Sequence, residues 1–142
     1  MHIEKVHQVE QSDLDDLNAL IPQLSRSAVP LSLETLGELV AAGGVDLLTA
    51  RFQGKIVGTL TLATFPIPTG MRAIIEDVVV DSEMRGRHVG ADLVREALKI
   101  AREKGARTVD LTSRPERVAA NAMYVRLGFE SRSTNVYRFR LE

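Results

Sequence analysis

The residues that could do chemistry gather along one stretch and one later segment. Residues 78 to 94 read VVVDSEMRGRHVGADLV. Three valines fit a buried strand, and Asp81 and Ser82 break it. Arg85, Gly86, Arg87, His88, Val89 and Gly90 then open a run whose apolar positions switch to helical spacing. A strand that ends in a basic, glycine-bearing turn and feeds a helix is suited to holding a phosphorylated ligand. Free main-chain N–H groups and the positive end of the helix dipole both point at the anion. Just before it, Glu76 and Asp77 interrupt a run of Ile and Val, where a charged pair is costly unless something uses or pairs it. Downstream, Tyr124 offers a phenol that is protonated at neutral pH. The strand, basic turn and helix of residues 78 to 94 predict an enzyme that uses a nucleotide-containing cofactor.

The composition narrows that chemistry. The chain has 142 residues, 44% hydrophobic and 26% charged, which suits one globular domain over residues 1–142. There is no cysteine, so thiol catalysis, disulfides and cysteine-ligated metals are excluded. His2, His7 and His88 show no metal-binding spacing, so no metal is expected. A net charge of −1 and 4% aromatic residues argue against nucleic acid as a partner. Met1 to Glu10 is mixed and polar, unlike a signal peptide, and no apolar run approaches the ~20 residues of a membrane helix. A cytoplasmic protein with no membrane partner is the expectation. GxGxxG and GxxxxGK[ST] are both absent, which disfavours dinucleotide and P-loop readings.

The elements that must position these residues follow from periodicity. Residues 2–9 predict a first strand. Leu14, Leu17, Leu20, Ile21 and Leu24 form a helical stripe after Ser12, and Ser32 caps a second helix that Gly43 and Gly44 end. DLLTARFQ and KIVGTLTLAT predict a hairpin around Gly54 and Lys55. FPIPTGM, with Pro66, Pro68 and Gly70, reads as a loop. RAIIEDVVV is the fourth strand, residues 88–104 a helix, and ARTVDLTS the fifth strand. A helix begins at Pro115 and is capped by Gly128. FESRSTNVYRFRL closes the chain as a strand pair. The strand-helix-strand unit makes strands four and five parallel neighbours. The fold class is therefore α/β or α+β, a mixed sheet with helices on its faces.

The pattern Val-x-Val, a short turn, then Arg-Gly-x-x-Val-Gly resembles the acyl-coenzyme A motif of the GNAT superfamily of N-acyltransferases. Ala119-Ala120-Asn121-Ala122-Met123-Tyr124-Val125-Arg126-Leu127-Gly128-Phe129 resembles that family's second signature, A-x-x-L-Y-x-x-x-G-F. The element order fits along nearly the whole chain; the first 70 residues match in pattern only. The resemblance implies a mostly antiparallel sheet of six to seven strands with parallel central strands four and five, flanked by about four helices. It also implies an acetyl-CoA-dependent N-acetyltransferase. Main-chain groups of Val78, Val79 and Val80 would pair with the pantetheine arm. The amides of Arg85, Gly86, Arg87, His88, Val89, Gly90 and Ala91 would cradle the pyrophosphate. Tyr124 would protonate the leaving thiolate, and Asn121 would line the cofactor cleft or cap a local backbone group. His88 stands where the family has its middle glycine, which is tolerable if its backbone is helical and its ring points outward.

Glu76 is the candidate base. In a regular strand Glu76, Val78 and Val80 face one way and Asp77 and Val79 the other, and a bulge would break that parity. IEDVVV is similar to the same strand in glucosamine-phosphate acetyltransferases. Asp77 reads as a structural partner to an arginine or a helix N-terminus. The resemblance would wall the acceptor cleft with residues 28–44 and 65–71, with Arg72 at its margin and Ser113 and Arg114 nearby. Nothing there names the amine, and a small molecule and a peptide both stay open. The alternating segment TNVYRFRL suggests a homodimer. The competing function is a non-catalytic acyl-CoA sensor.

Overall fold

The computed structural model describes residues 1–142. They form two compact units, Met1–Thr112 and Ser113–Glu142. In the first unit β1 (His2–Lys5), β2 (Val45–Phe52), β3 (Lys55–Ile67), β4 (Gly70–Val80) and β5 (Val109–Asp110) form one sheet in sequence order. β1 to β4 are antiparallel in succession and β5 is parallel to β4. Three helices belong to this unit: α1 (Gln11–Leu20), α2 (Leu33–Ala41) and α3 (Val89–Glu103). The mixed α/β class and the parallel β4–β5 pair are as expected.

The sheet is covered on both faces. Five consecutive residues of β2, Asp46 to Ala50, are buried, as a strand between two helical layers requires. Leu14, Leu17 and Leu20 of α1 and Leu36 of α2 join Leu47, Ile56 and Val79 in one apolar cluster. α3 contributes Val89, Leu93, Val94, Ala97 and Ala101, all buried at helical spacing. Gly58 of β3 lets the first turn of α3 come close. A Cβ there would lie 3.1 Å from both the Leu93 Cδ1 and the Val89 Cγ1.

The structure changes several sequence expectations. There are five strands, not six to seven, and β5 is the outer strand of the sheet. Residues 129–142 form no strand, and Val136, Tyr137, Phe139 and Leu141 are exposed. Alternation makes a segment fit for a strand, but a ladder also needs a partner edge. Residues 65–67 and 70–71 are not loop. They extend β3 and β4 into a long hairpin turned at Pro68 and Thr69. Pro66 is tolerated because β2 ends opposite Ala63, so β3 has only β4 beside it there. The first strand stops at Lys5, and the first helix starts at Gln11, ahead of Ser12.

The second unit holds α4 (Val118–Arg126). This helix begins three residues after Pro115. Arg117, at φ −82° and ψ 67°, is its N-cap. Gly128 at φ 104° ends it, as read from the sequence.

Candidate active site

Thr61 pairs with Glu76 across the β3–β4 ladder, and Thr59 pairs with Val79. Leu60 alone therefore stands opposite both Asp77 and Val78, which is a β-bulge. Asp77 takes φ 50°, in the left-handed region. The bulge breaks the expected parity. Glu76 and Asp77 are both exposed, one after the other, between buried Ile75 and buried Val79. Neither carboxylate forms an ion pair, so Asp77 does not pair with an arginine, one of the two structural roles that the sequence suggested. Glu76 is left as an unspent acceptor beside the bulge.

β4 and β5 pair only at Ala73 with Val109 and Ile74 with Asp110. Past Ile74 the outer edge of β4 has no strand beside it. A bare parallel edge presents main-chain donors and acceptors that another extended chain can pair with. Val78, Val79 and Val80 lie on that edge, with Val78 and Val80 partly exposed and Val79 buried.

The chain then turns. The Asp81 N–H bonds to the Val57 carbonyl at 2.8 Å, and the Asp81 carboxylate accepts from the Glu83 N–H at 3.1 Å. Met84, within the turn, is buried. Gly86 adopts φ 80° and His88 φ 61°, ψ 22°. His88 thus holds a left-handed conformation at the N-cap of α3, not the right-handed one that would suit a side chain. The first bond into α3 runs from the Asp92 N–H to the His88 carbonyl at 3.0 Å. The amides of Gly86, His88, Val89, Gly90 and Ala91 consequently have no protein acceptor. They open at the positive end of a helix of 15 residues. Arg85, Gly86, Arg87 and His88 are all exposed around them. The residues present fit a pyrophosphate.

Sequence reasoning missed what lies under Arg87. Its guanidinium sits 5.2 Å from the centroid of the Phe52 ring. No local signal marks that contact, since the two residues are far apart in the chain. Arg72, expected at the margin of an acceptor cleft, lies 3.4 Å from Asp110. The two share a cleft of about 320 Å³ with Thr69, Gly70, Arg107 and Thr108.

In the second unit Tyr124 is buried, and its ring meets Phe129 edge-on at 5.7 Å. Burial pushes the Tyr124 phenol above its ordinary value, and the nearby Arg117 charge pulls it down more weakly. A raised value keeps the phenol protonated and able to donate. Asn121 Nδ2 donates to the Arg114 carbonyl at 3.0 Å. One end of that side chain therefore caps local backbone, and its carbonyl oxygen is left over.

Residues 12–129 match the profile of the acetyltransferase (GNAT) family. The chain belongs to the GNAT acetyltransferase family. Among its relatives is a glucosamine 6-phosphate N-acetyltransferase of Trypanosoma brucei brucei. The two are 34% identical over 131 residues, 87% of this chain and 86% of that one. An N-alpha-acetyltransferase MAK3 of Arabidopsis thaliana is 34% identical over 65% of this chain and 48% of its own. The structure is similar to that of a putative acetyltransferase from Agrobacterium tumefaciens. The TM-score is 0.85 at 27% identity, covering 99% of this chain and all of the other. One relative is named for glucosamine 6-phosphate and the other for N-alpha-acetylation, and family membership alone leaves the acceptor open. No group of His, Cys, Asp and Glu is arranged to hold a metal ion, and no helix is long and apolar enough to cross a membrane.

Proposed function

We propose that this protein transfers an acetyl group from acetyl-CoA to the primary amine of a small acceptor. The observation that carries the reading is the continuity of two features. The unpaired edge of β4 from Ile75 to Val80 runs directly into a turn with five uncommitted amides. The first suits the amides of a pantetheine arm, and the second suits the pyrophosphate at its end. In this reading Val78, Val79 and Val80 bind the arm, and the segment Arg85 to Ala91 binds the pyrophosphate. Asn121 adds its free carbonyl oxygen to the cofactor cleft. The match over residues 12–129 spans both units, which supports one N-acetyltransferase domain.

The chemistry divides among few residues. The amine nitrogen attacks the thioester carbonyl carbon, and main-chain N–H groups freed at the bulge stabilise the oxyanion. The carbon–sulfur bond breaks, and the phenol of Tyr124 gives its proton to the departing thiolate. A phenol of ~10 or above donates adequately to a thiolate whose conjugate acid lies at ~8.5. Glu76 takes the proton that the amine loses, directly or through water. The amide product leaves with free coenzyme A, and solvent returns a proton to Tyr124.

Glucosamine 6-phosphate is the first acceptor to assay, because a relative over most of the chain is named for it. A cytoplasmic location is compatible with a chain that has no cysteine. Exposed Val136, Tyr137, Phe139 and Leu141 supply apolar surface that a homodimer would cover. The test is release of coenzyme A thiol from acetyl-CoA across a panel of amino sugars, amino acids and peptides. Amine-dependent release from the wild type, lost in Gly86→Glu, is expected. Tight binding of acetyl-CoA with no release on any amine would instead make the protein an acyl-CoA sensor.

A further inference from the structure

Arg87 stands between two left-handed residues, Gly86 and His88, and is exposed. Its guanidinium nevertheless has a fixed seat 5.2 Å from the Phe52 ring centroid. It forms no ion pair with any carboxylate. Phe52 is itself held firmly. It is the last residue of β2, pairs with Lys55 across the hairpin, and precedes a tight turn in which Gln53 and Gly54 take φ 53° and 81°.

We infer that Phe52 is a positioning residue for the phosphate oxygens of the acyl donor and acts through Arg87. An aromatic ring occupies one face of a guanidinium and leaves its N–H edge free. That edge is the part that grips phosphate, by two parallel hydrogen bonds. The five main-chain amides beside it carry only partial charges, and Arg87 adds a full one. Seating the side chain beforehand also removes most of the entropy that a loose arginine would lose on binding. The β2–β3 hairpin tip thereby becomes part of the donor site, although it contributes no polar group of its own. The inference rests on reading the turn as the pyrophosphate site, and its test separates the two.

Coenzyme A and 3′-dephospho-coenzyme A are titrated calorimetrically into the wild type, Phe52→Leu, Phe52→Trp, Arg87→Ala and the double variant Phe52→Leu/Arg87→Ala. Thermal unfolding is recorded for each. Phe52→Leu weakens coenzyme A about 3-fold and Arg87→Ala about 10-fold, from the usual strengths of a cation–π contact and a charged hydrogen bond. Phe52→Trp binds as the wild type does, because indole seats a guanidinium at least as well. The double variant is no weaker than Arg87→Ala, since the ring acts only through the arginine. In steady state Phe52→Leu raises KM for acetyl-CoA and leaves kcat unchanged. Loss for coenzyme A alone assigns the contact to the 3′-phosphate, and loss for both ligands assigns it to the pyrophosphate; either supports the inference. Unchanged affinity in Phe52→Leu, or losses that multiply in the double variant, overturns it. Gly86→Glu is the separate control: normal binding there defeats the donor site itself, whereas loss there with Phe52→Leu unaffected defeats only the role of Phe52.

Discussion

Lys104 Nζ donates to Asp46 Oδ2 at 2.6 Å, joining the C-cap of α3 to the second residue of β2. Asp46 is 1% exposed, and Lys5 Nζ of β1 lies 2.5 Å from its other oxygen. One buried carboxylate thus ties two strands to the end of the helix opposite the phosphate turn. Burial pushes the Asp46 carboxyl up, but the hydrogen bonds from Lys104 and Lys5 outweigh it and hold the group below the usual carboxylate value. A depressed folded-state value means the tie is complete above the unfolded value of ~3.9 and fades as pH falls through the folded one. Asp46→Asn should cost about 1–3 kcal/mol at neutral pH, because both lysines can still reach water. Its stability should also fall less steeply than that of the wild type below about pH 4. Urea denaturation at neutral and acid pH checks both, and parallel pH slopes would remove Asp46 from the account.

His88 adopts φ 61° where the family carries glycine. A left-handed conformation costs an L-residue about 1–2 kcal/mol, and the entropy of a new glycine returns about 0.4–1 of that. His88→Gly should therefore leave stability unchanged or raise it by up to about 1 kcal/mol, with acetyl-CoA binding retained. His88→Val should lose about 1–2 kcal/mol, since a β-branched side chain is least tolerant of this region. If the glycine variant binds acetyl-CoA several-fold more weakly, the imidazole is itself a ligand contact.

Much of this was legible before the structure. The α3 stripe of Val89, Leu93, Val94, Ala97 and Ala101 is a regular pattern on one helix, and such local periodicity survives folding. The parallel β4–β5 pair followed from connection rules, and the free-amide turn from glycine spacing. What stayed hidden was set by pairing between distant segments. IEDVVV reads the same with or without a bulge, and only its register against β3 places two residues opposite Leu60. Pro66 looks like a strand breaker until β2 is seen to end beside it. Phe52 looks like any apolar residue near a turn until Arg87 folds over it. The alternating segment 134–141 shows the reverse failure, a strand pattern for which the chain forms no ladder.

Glu76 is exposed and free of ion pairs beside the bulge. If it takes the proton that the amine loses, Glu76→Gln should lower kcat by about 100-fold or more at neutral pH, the usual range for a lost general base. Acetyl-CoA affinity should not change, because the Glu76 carboxylate is no part of the donor site. The deficit should shrink as pH approaches the acceptor amine's own value, where the amine needs no base. A deficit that is constant across pH would mean that Glu76 orients the acceptor and moves no proton.

In the proposed reaction Tyr124 would supply the opposite half of the proton transfer. Its phenol is raised by burial, and the opposing pull of Arg117 is smaller. The donating form is therefore complete through the neutral range and is lost only above about pH 10. Tyr124→Phe keeps the ring that packs on Phe129 at 5.7 Å, so the fold should be preserved. Turnover should fall about 100-fold, the usual worth of a positioned general acid, while KM for acetyl-CoA stays the same. The loss should be largest with acetyl-CoA and should nearly vanish with an acyl donor whose thiol is far more acidic, since such a thiolate departs without a proton. That comparison separates acid catalysis from packing. A packing defect would slow both donors alike and would lower the melting temperature as well.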